Sequence, residues 1–312
     1  MNKVFNLVFI LTIMTACDTA ASSTRLETSN PSSTKNKELP TFTSIVLFRP
    51  TETMIPTATL DTRLPPERWQ EWPVIPTVRP EMKGIFQRGV EMGNNPKAFM
   101  KIGDGEISTV WFLTQYDLGS ANYHLGPYVN LQSVIKYFSG SFNHDGLAAG
   151  RGFNTTIILG RTPMGTPDCQ PAESRLDCEL RTFHPSFAII SLGTNQIREP
   201  DVFEPELRQI IERLLKAGVV PILSTKADNL EGDYRINQII VKLAYDYNLP
   251  LWNFWLVVQS LPDHGLQADR EHLTYAYSDF SNPENFQYAW PWRNLTALQV
   301  LDSVSQAVTS QP

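Results

Sequence analysis

The chain has 312 residues and a formal net charge of −6, with 42% hydrophobic and 19% charged residues. That length leaves room for one large domain or two small ones, with a sizeable core in either case. Acidic and basic residues are interspersed with no basic block or stripe, so the electrostatic footprint of a nucleic-acid binder is missing.

Residues 1–17 read as a targeting leader. Lys3 gives a positive start, Val4 to Ile13 an apolar stretch too short for a comfortable membrane span, and Met14-Thr15-Ala16-Cys17 a small-residue exit. Because the exit ends on cysteine, the leader resembles a bacterial lipoprotein signal. Cys17 is then expected to become the lipidated first residue, anchoring the chain to the outer face of a membrane. Seventeen of the 47 residues from Asp18 to Leu64 are Ser or Thr, with scattered prolines. Such a segment buries too little apolar surface to offset its ordering entropy and reads as a disordered tether over 18–64, with Ile45 to Phe48 its one apolar patch. Residues 65–96, with Trp69 and Trp72 among prolines and a polar loop from Val90, read as an extended lead-in to a domain spanning 97–312.

Within that domain Ala98–Ile102 is the first expected core strand, ended by Gly103-Asp104-Gly105. Thr109–Tyr116 follows as a helix, with Ser108 suited to its N-cap. Leu131–Phe138 has the spacing of a short amphipathic helix. Gly146–Ala149 reads as a small-residue strand running into Gly150-Arg151-Gly152, and Asn154–Leu159 as the start of a helix. Cys169 and Cys178 lie in a polar loop. In an exported chain two such close cysteines are expected to form a disulfide, and no Cys or His pair at ligand spacing suggests a metal. Phe187 to Asn195 begins as a nearly continuous apolar run, the pattern of a strand buried on both faces of a parallel sheet.

Leu207, Ile210, Ile211, Leu214 and Leu215 then recur at helical spacing in a helix over Glu204–Ala217, with Pro205 near its start and Gly218 after its end. Val219–Ser224 is a strand, Tyr234–Tyr247 a helix and Leu249–Phe254 the last strand. A helix over Arg293–Val308 closes the chain. This alternation predicts an α/β domain with a central parallel sheet covered by helices, a three-layer arrangement.

In such a sheet the strand tips share one rim, where ligands bind. The tips here carry Gly103-Asp104-Gly105, Gly150-Arg151-Gly152, Gly193-Thr194-Asn195 and Lys226-Ala227-Asp228, and Asp269-Arg270-Glu271-His272 follows the last strand. Asp269 and His272, three apart, suit an orienting carboxylate and an imidazole base.

These blocks resemble, in order and context, those of the SGNH (GDSL-like) hydrolases, esterases and lipases on a flavodoxin-like fold. Gly103-Asp104, Gly152, Gly193-Thr194-Asn195 and Asp269-Arg270-Glu271-His272 match, over roughly Lys97 to the end. The resemblance implies an ester hydrolase without metal or organic cofactor. His272 would be the base, Asp269 its orienter, and Asn195 and Gly152 oxyanion donors. Gly105, standing where the family has its nucleophilic serine, could add only a backbone N–H to that hole. Gln196 replaces the Asp that many members carry after the block Asn.

Ser108 is the nearest hydroxyl beyond Gly105 and has two readings, helix N-cap or displaced nucleophile. Lys226 and Asp228 are either substrate contacts on the rim or an ion pair. His124, His144, His184 and His264 read as structural, and Trp252, Trp255, Trp290 and Trp292 as packing. The function expected is an exported, membrane-tethered ester hydrolase acting on acyl or acetyl esters of glycans or lipids, with no nucleic-acid partner. A binding module that has lost its chemistry and an acyltransferase on the same scaffold are the alternatives.

Overall fold

The computed structural model describes residues 63–310. The leader 1–17 with Cys17, the patch Ile45–Phe48 and all of the tether except Arg63 and Leu64 lie outside the described residues. Among the described residues four strands, β1 (Asn95–Gly103), β2 (Pro185–Ser191), β3 (Val220–Ser224) and β4 (Leu251–Trp252), form a parallel sheet in the order β1-β2-β3-β4. Every residue of β2 and β3 is buried. Successive strand side chains point to opposite faces, so helices must cover both.

The helices are α1 (Glu81–Glu91), α2 (Gly105–Ser108), α3 (Gln132–Tyr137), α4 (Thr155–Leu159), α5 (Arg175–Phe183), α6 (Pro200–Lys216), α7 (Arg235–Asp246), α8 (Phe254–Val258) and α9 (Ala289–Thr309). On the face to which Phe187 and Ser191 point lie α1 and α9. The Phe86 ring of α1 sits 5.4 Å from that of Phe187, and Arg293 of α9 donates to Ser191 Oγ at 2.9 Å. Helices α6 and α7 pack on each other and on β3.

Several expectations need correcting. The strand expected at Gly146–Ala149 shrinks to a single parallel bridge between Ala149 and Gly103. Gly103 N–H donates to the Ala148 carbonyl and Gly150 N–H to that of Gly103. With that bridge counted as the second strand in chain order, the sheet reads 2-1-3-4-5, the flavodoxin order, and its topological switch point lies between β1 and β2.

The segment 65–96 is not an extended lead-in. It holds a 3₁₀ turn (Pro66–Glu71) and all of α1, which packs on the sheet, and Asn253 Nδ2 ties it down by donating to the Trp69 and Trp72 carbonyls. The helix expected at Thr109–Tyr116 is also displaced. The helical turn is α2, and Asp104 rather than Ser108 caps it by accepting from Glu106 N–H at 3.1 Å. Ser108 is its last residue.

The cysteine loop contains α5, capped by Ser174, and Cys178 within it joins Cys169 in the expected disulfide with Cα atoms 5.3 Å apart. Helix α6 begins at Pro200, four residues before the expected start, with proline in the first turn where its missing N–H costs nothing. The last strand keeps only Leu251 and Trp252, because the Asn253 side chain turns back to cap α8.

Candidate functional site

A cleft of about 800 Å³ opens at the switch point, over the carboxyl ends of β1 and β2. Its floor is the turn from β1 into α2. Asp104 takes the Glu106 N–H, whereas the Gly105 N–H, first of the helix, has no intrahelical acceptor, and Gly105 itself lines the cleft. A Cβ built on Gly105 meets nothing closer than Arg151 Cγ at 4.0 Å, so the glycine leaves space rather than filling a steric need. Gly193 is different. Its φ is 127° and a Cβ there would meet Ile236 Cγ2 at 2.4 Å, so the chain can turn out of β2 toward Asn195 only through glycine.

His272 reaches the cleft from a tight loop. Leu266 bridges Leu273, Gln267 N–H donates to the His272 carbonyl, and Thr274 Oγ1 accepts the first N–H of α9. Asp269 backs His272 without itself lining the cleft. Its Oδ2 holds His272 Nδ1 at 2.8 Å, and its Oδ1 accepts the N–H groups of Glu271 and His272. Those donors, the Glu271 N–H foremost, hold the Asp269 carboxyl down at about 2, and Asp269 in turn raises the His272 imidazole above its ordinary value. With Nδ1 engaged, Nε2 is the nitrogen left to exchange protons.

Gly152 and Asn195 both line the same cleft. Asn195 Nδ2 donates to the Phe153 carbonyl at 3.1 Å, clamping the Gly152 turn beside it and leaving its second N–H available. Gln196, the departure from the family pattern, is buried and caps α4. Its Oε1 accepts from Thr155 N–H and Thr155 Oγ1.

Lys226 and Asp228 are not rim contacts. Both are buried and neither lines the cleft. Lys226 Nζ is held by Asp228 Oδ1 at 2.5 Å and Glu231 Oε2 at 2.6 Å, and Thr194 Oγ1 donates to Asp228. The pair is therefore a buried brace beneath the Gly193–Asn195 turn. Ser108 lines the cleft, one helical turn beyond Gly105, and among the described residues its hydroxyl bonds to no other side chain.

Sequence reasoning missed Glu106, Arg293 and the aromatic wall. Glu106 lines the cleft from α2, and burial pushes its carboxyl up to about 7, while Asp104 is pushed to about 6 for the same reason. Arg293 lies fully buried beneath, with Nη1 3.8 Å from Glu106 Oε2. Trp111 and Tyr275, rings 4.5 Å apart, line the cleft together with Val110, and all three are well exposed. The only sequence signal for Glu106 was its place directly after Gly105, and Arg293 had none.

No family model matches the chain, and no curated protein does. Among solved structures the chain is similar to the psychrotrophic esterase EstA from Pseudoalteromonas sp., at 17% identity and a TM-score of 0.41, covering 66% of this chain and 97% of that one. It is similar to an acetyl esterase at 14% identity and a TM-score of 0.40, covering 66% and 99%. A GDSL-like lipase from Bacteroides thetaiotaomicron gives 13% identity and a TM-score of 0.37, covering 71% and 97%.

Proposed function

We propose that the cleft hydrolyses acyl or acetyl esters, with His272 as the base, Asp269 as its orienter, and Gly105 N–H, Gly152 N–H and the Asn195 amide as donors to the developing oxyanion. The observation that carries this reading is His272, held by Asp269 at 2.8 Å and lining the same cleft as the first turn of α2. Preorganised donors aimed at a growing negative charge are the largest single contribution to acyl transfer. The Trp111–Tyr275 wall supplies an apolar face for the acyl or alcohol part of the ester, glycan or lipid. We also propose export and attachment to a membrane through a lipid on Cys17, a reading supported by the Met14–Cys17 exit and the paired cysteines of an oxidising address.

Two oxygens can attack. Ser108 Oγ stands on the right helix, but one turn beyond the position at the cleft end of α2. Water is favoured by the space over Gly105, where an added Cβ would meet nothing closer than Arg151 Cγ at 4.0 Å. Assay of 4-nitrophenyl and alkyl acetates tests the reading. His272→Ala is expected to lower kcat/KM by about 10³-fold or more. Loss of the same size in Ser108→Ala assigns the attack to the serine, and retention assigns it to water. A wild-type protein inert on every ester leaves a binding module.

A further inference from the structure

We propose that Glu106 is the catalytic acid of this cleft, protonating the leaving alcohol while water, rather than Ser108, attacks the acyl carbon. The inference rests on the ester-hydrolase reading and selects one of its two nucleophiles.

The first observation is Arg293. This side chain is completely buried, yet among the described residues its guanidinium makes one hydrogen bond, from Nη2 to Ser191 Oγ at 2.9 Å, and neither Nε nor Nη1 has a hydrogen-bond partner there. Four rings surround it, with Phe254, Phe112, Trp252 and Trp290 centred 4.7 to 5.9 Å from its Cζ. An aromatic cage softens the desolvation of a cation but does not repay it, and an apolar side chain of similar volume would serve a core at least as well. What an apolar side chain cannot do is face a carboxylate. The carboxylate it faces is Glu106, 3.8 Å from Nη1.

The second observation is where Glu106 stands. It is the residue after Gly105, its N–H is fixed by Asp104, and its side chain lines the cleft with a quarter of its surface exposed. Water and substrate reach it, as they do His272 on the facing loop. The groups around it are Arg293 from α9, Asp104 from the cap of α2, Asp228 from the loop after β3 and His272, with Arg151 and Glu271 on the cleft wall. Burial holds the Glu106 carboxyl near 7 against the pull of Arg293, so a large protonated fraction survives at neutral pH.

The step balances on these groups. Water oxygen forms the new bond to the acyl carbon as His272 Nε2 takes its proton, and the carbonyl electron pair moves onto the oxygen held by the Gly105, Gly152 and Asn195 donors. On collapse the bond to the alkoxy oxygen breaks and Glu106 gives that oxygen its proton. The alcohol and the acid depart, and His272 returns its proton through water to the Glu106 carboxylate. Ester and water have become acid and alcohol, with the protein restored.

The test compares a poor leaving group with a good one. An alkoxide needs a proton to leave, whereas 4-nitrophenolate does not. Glu106→Gln is expected to lower kcat/KM for an alkyl acetate by about 10²-fold or more, the usual worth of a placed acid, and to change the 4-nitrophenyl ester by less than about tenfold. The alkaline limb of the alkyl-ester pH profile near pH 7 should vanish with it. Ser108→Ala should retain both activities. Equal loss on both esters would mark Glu106 as merely structural, no loss would remove it from the reaction, and loss of both activities in Ser108→Ala would restore the serine mechanism. Each of those three overturns this proposal while leaving the ester-hydrolase reading intact. An inert wild type overturns both.

Discussion

Placing a hydroxyl at position 105 tests the geometry of the cleft directly. A Cβ on Gly105 has its nearest contact at 4.0 Å, the Cγ of Arg151, and the position lies in the first turn of α2. The Cβ of Gly105→Ser therefore meets no clash. Serine exceeds glycine in helix propensity by about 0.5 kcal/mol, which for a domain of this size is a Tm change of about +1 to +2 °C. The new Oγ would stand at the helix N-terminus, where the dipole favours a developing alkoxide. The assay is thermal denaturation followed by reaction with an aryl phosphonate, read by intact-protein mass. The expected result is a stably folded protein that takes one phosphonyl adduct, and takes none when His272→Ala is added. A stably folded Gly105→Ser that stays unlabelled over hours would show that His272 does not face position 105, and the acyl-transfer geometry would fall with it.

Removing the Cys169–Cys178 disulfide opens a loop of sequence separation 9, worth about 2.5 kcal/mol in chain entropy, so the double Ser variant should melt roughly 5–10 °C lower by calorimetry with the cleft intact. Lys226→Met should cost about 3–5 kcal/mol in urea denaturation, because Asp228 and Glu231 would be left buried without a counter-charge; an unchanged stability with altered KM would instead return Lys226 to the substrate.

What the sequence made legible follows from the range of the interactions involved. β2, β3 and the Ala98–Ile102 part of β1 are mostly apolar and buried on both faces, and α6, α7 and α9 keep apolar residues in helical register, so each announces itself locally. Helix α1 did not, because Gly84 and Gly89 interrupt it. Gly89 is required by tertiary packing, since a Cβ there would strike the Gly218 carbonyl oxygen at 2.0 Å. Helix α5 was hidden for the opposite reason. Its inward face carries Glu179, a polar residue that is buried because it accepts from Leu147 N–H and pairs with His144. β4 ended early because Asn253 prefers to cap a helix, a competition that residue type alone does not decide.

The site divides in the same way. Asp269 and His272 meet within one turn of chain, so their spacing was informative. Lys226 and Asp228 were recognised as a possible pair, but only the third member, Glu231, shows that they face inward. Glu106 and Arg293 come from opposite ends of the domain, and nothing local links them.

The energetic balance at Glu106 gives a last prediction, with its sign set by which of two effects is larger. Burial alone would raise the carboxyl, and Arg293 alone would lower it; the outcome is a rise from 4.5 to about 7, so burial wins. The folded protein then holds a proton that the unfolded chain has released, and stability falls as pH climbs from about 4.5 through about 7. At 1.36 kcal/mol per pH unit, and allowing for the quarter of the side chain that water reaches, the loss is about 2–3 kcal/mol. Glu106→Gln mimics the protonated acid at every pH and avoids it. Asp104, raised to about 6 by burial, adds a fall of the same sign, but in both proteins, so it largely cancels from their difference. The Asp269–His272 pair is likewise common to both. Urea denaturation of wild type and Glu106→Gln should therefore coincide near pH 4 and diverge by pH 8, with the variant the more stable. Parallel curves would mean that water already solvates Glu106 fully, and a wild type that gains on the variant as pH rises would mean that the Arg293 ion pair outweighs burial. In either case Glu106 would be an ordinary carboxylate at neutral pH, without the proton a leaving alcohol requires.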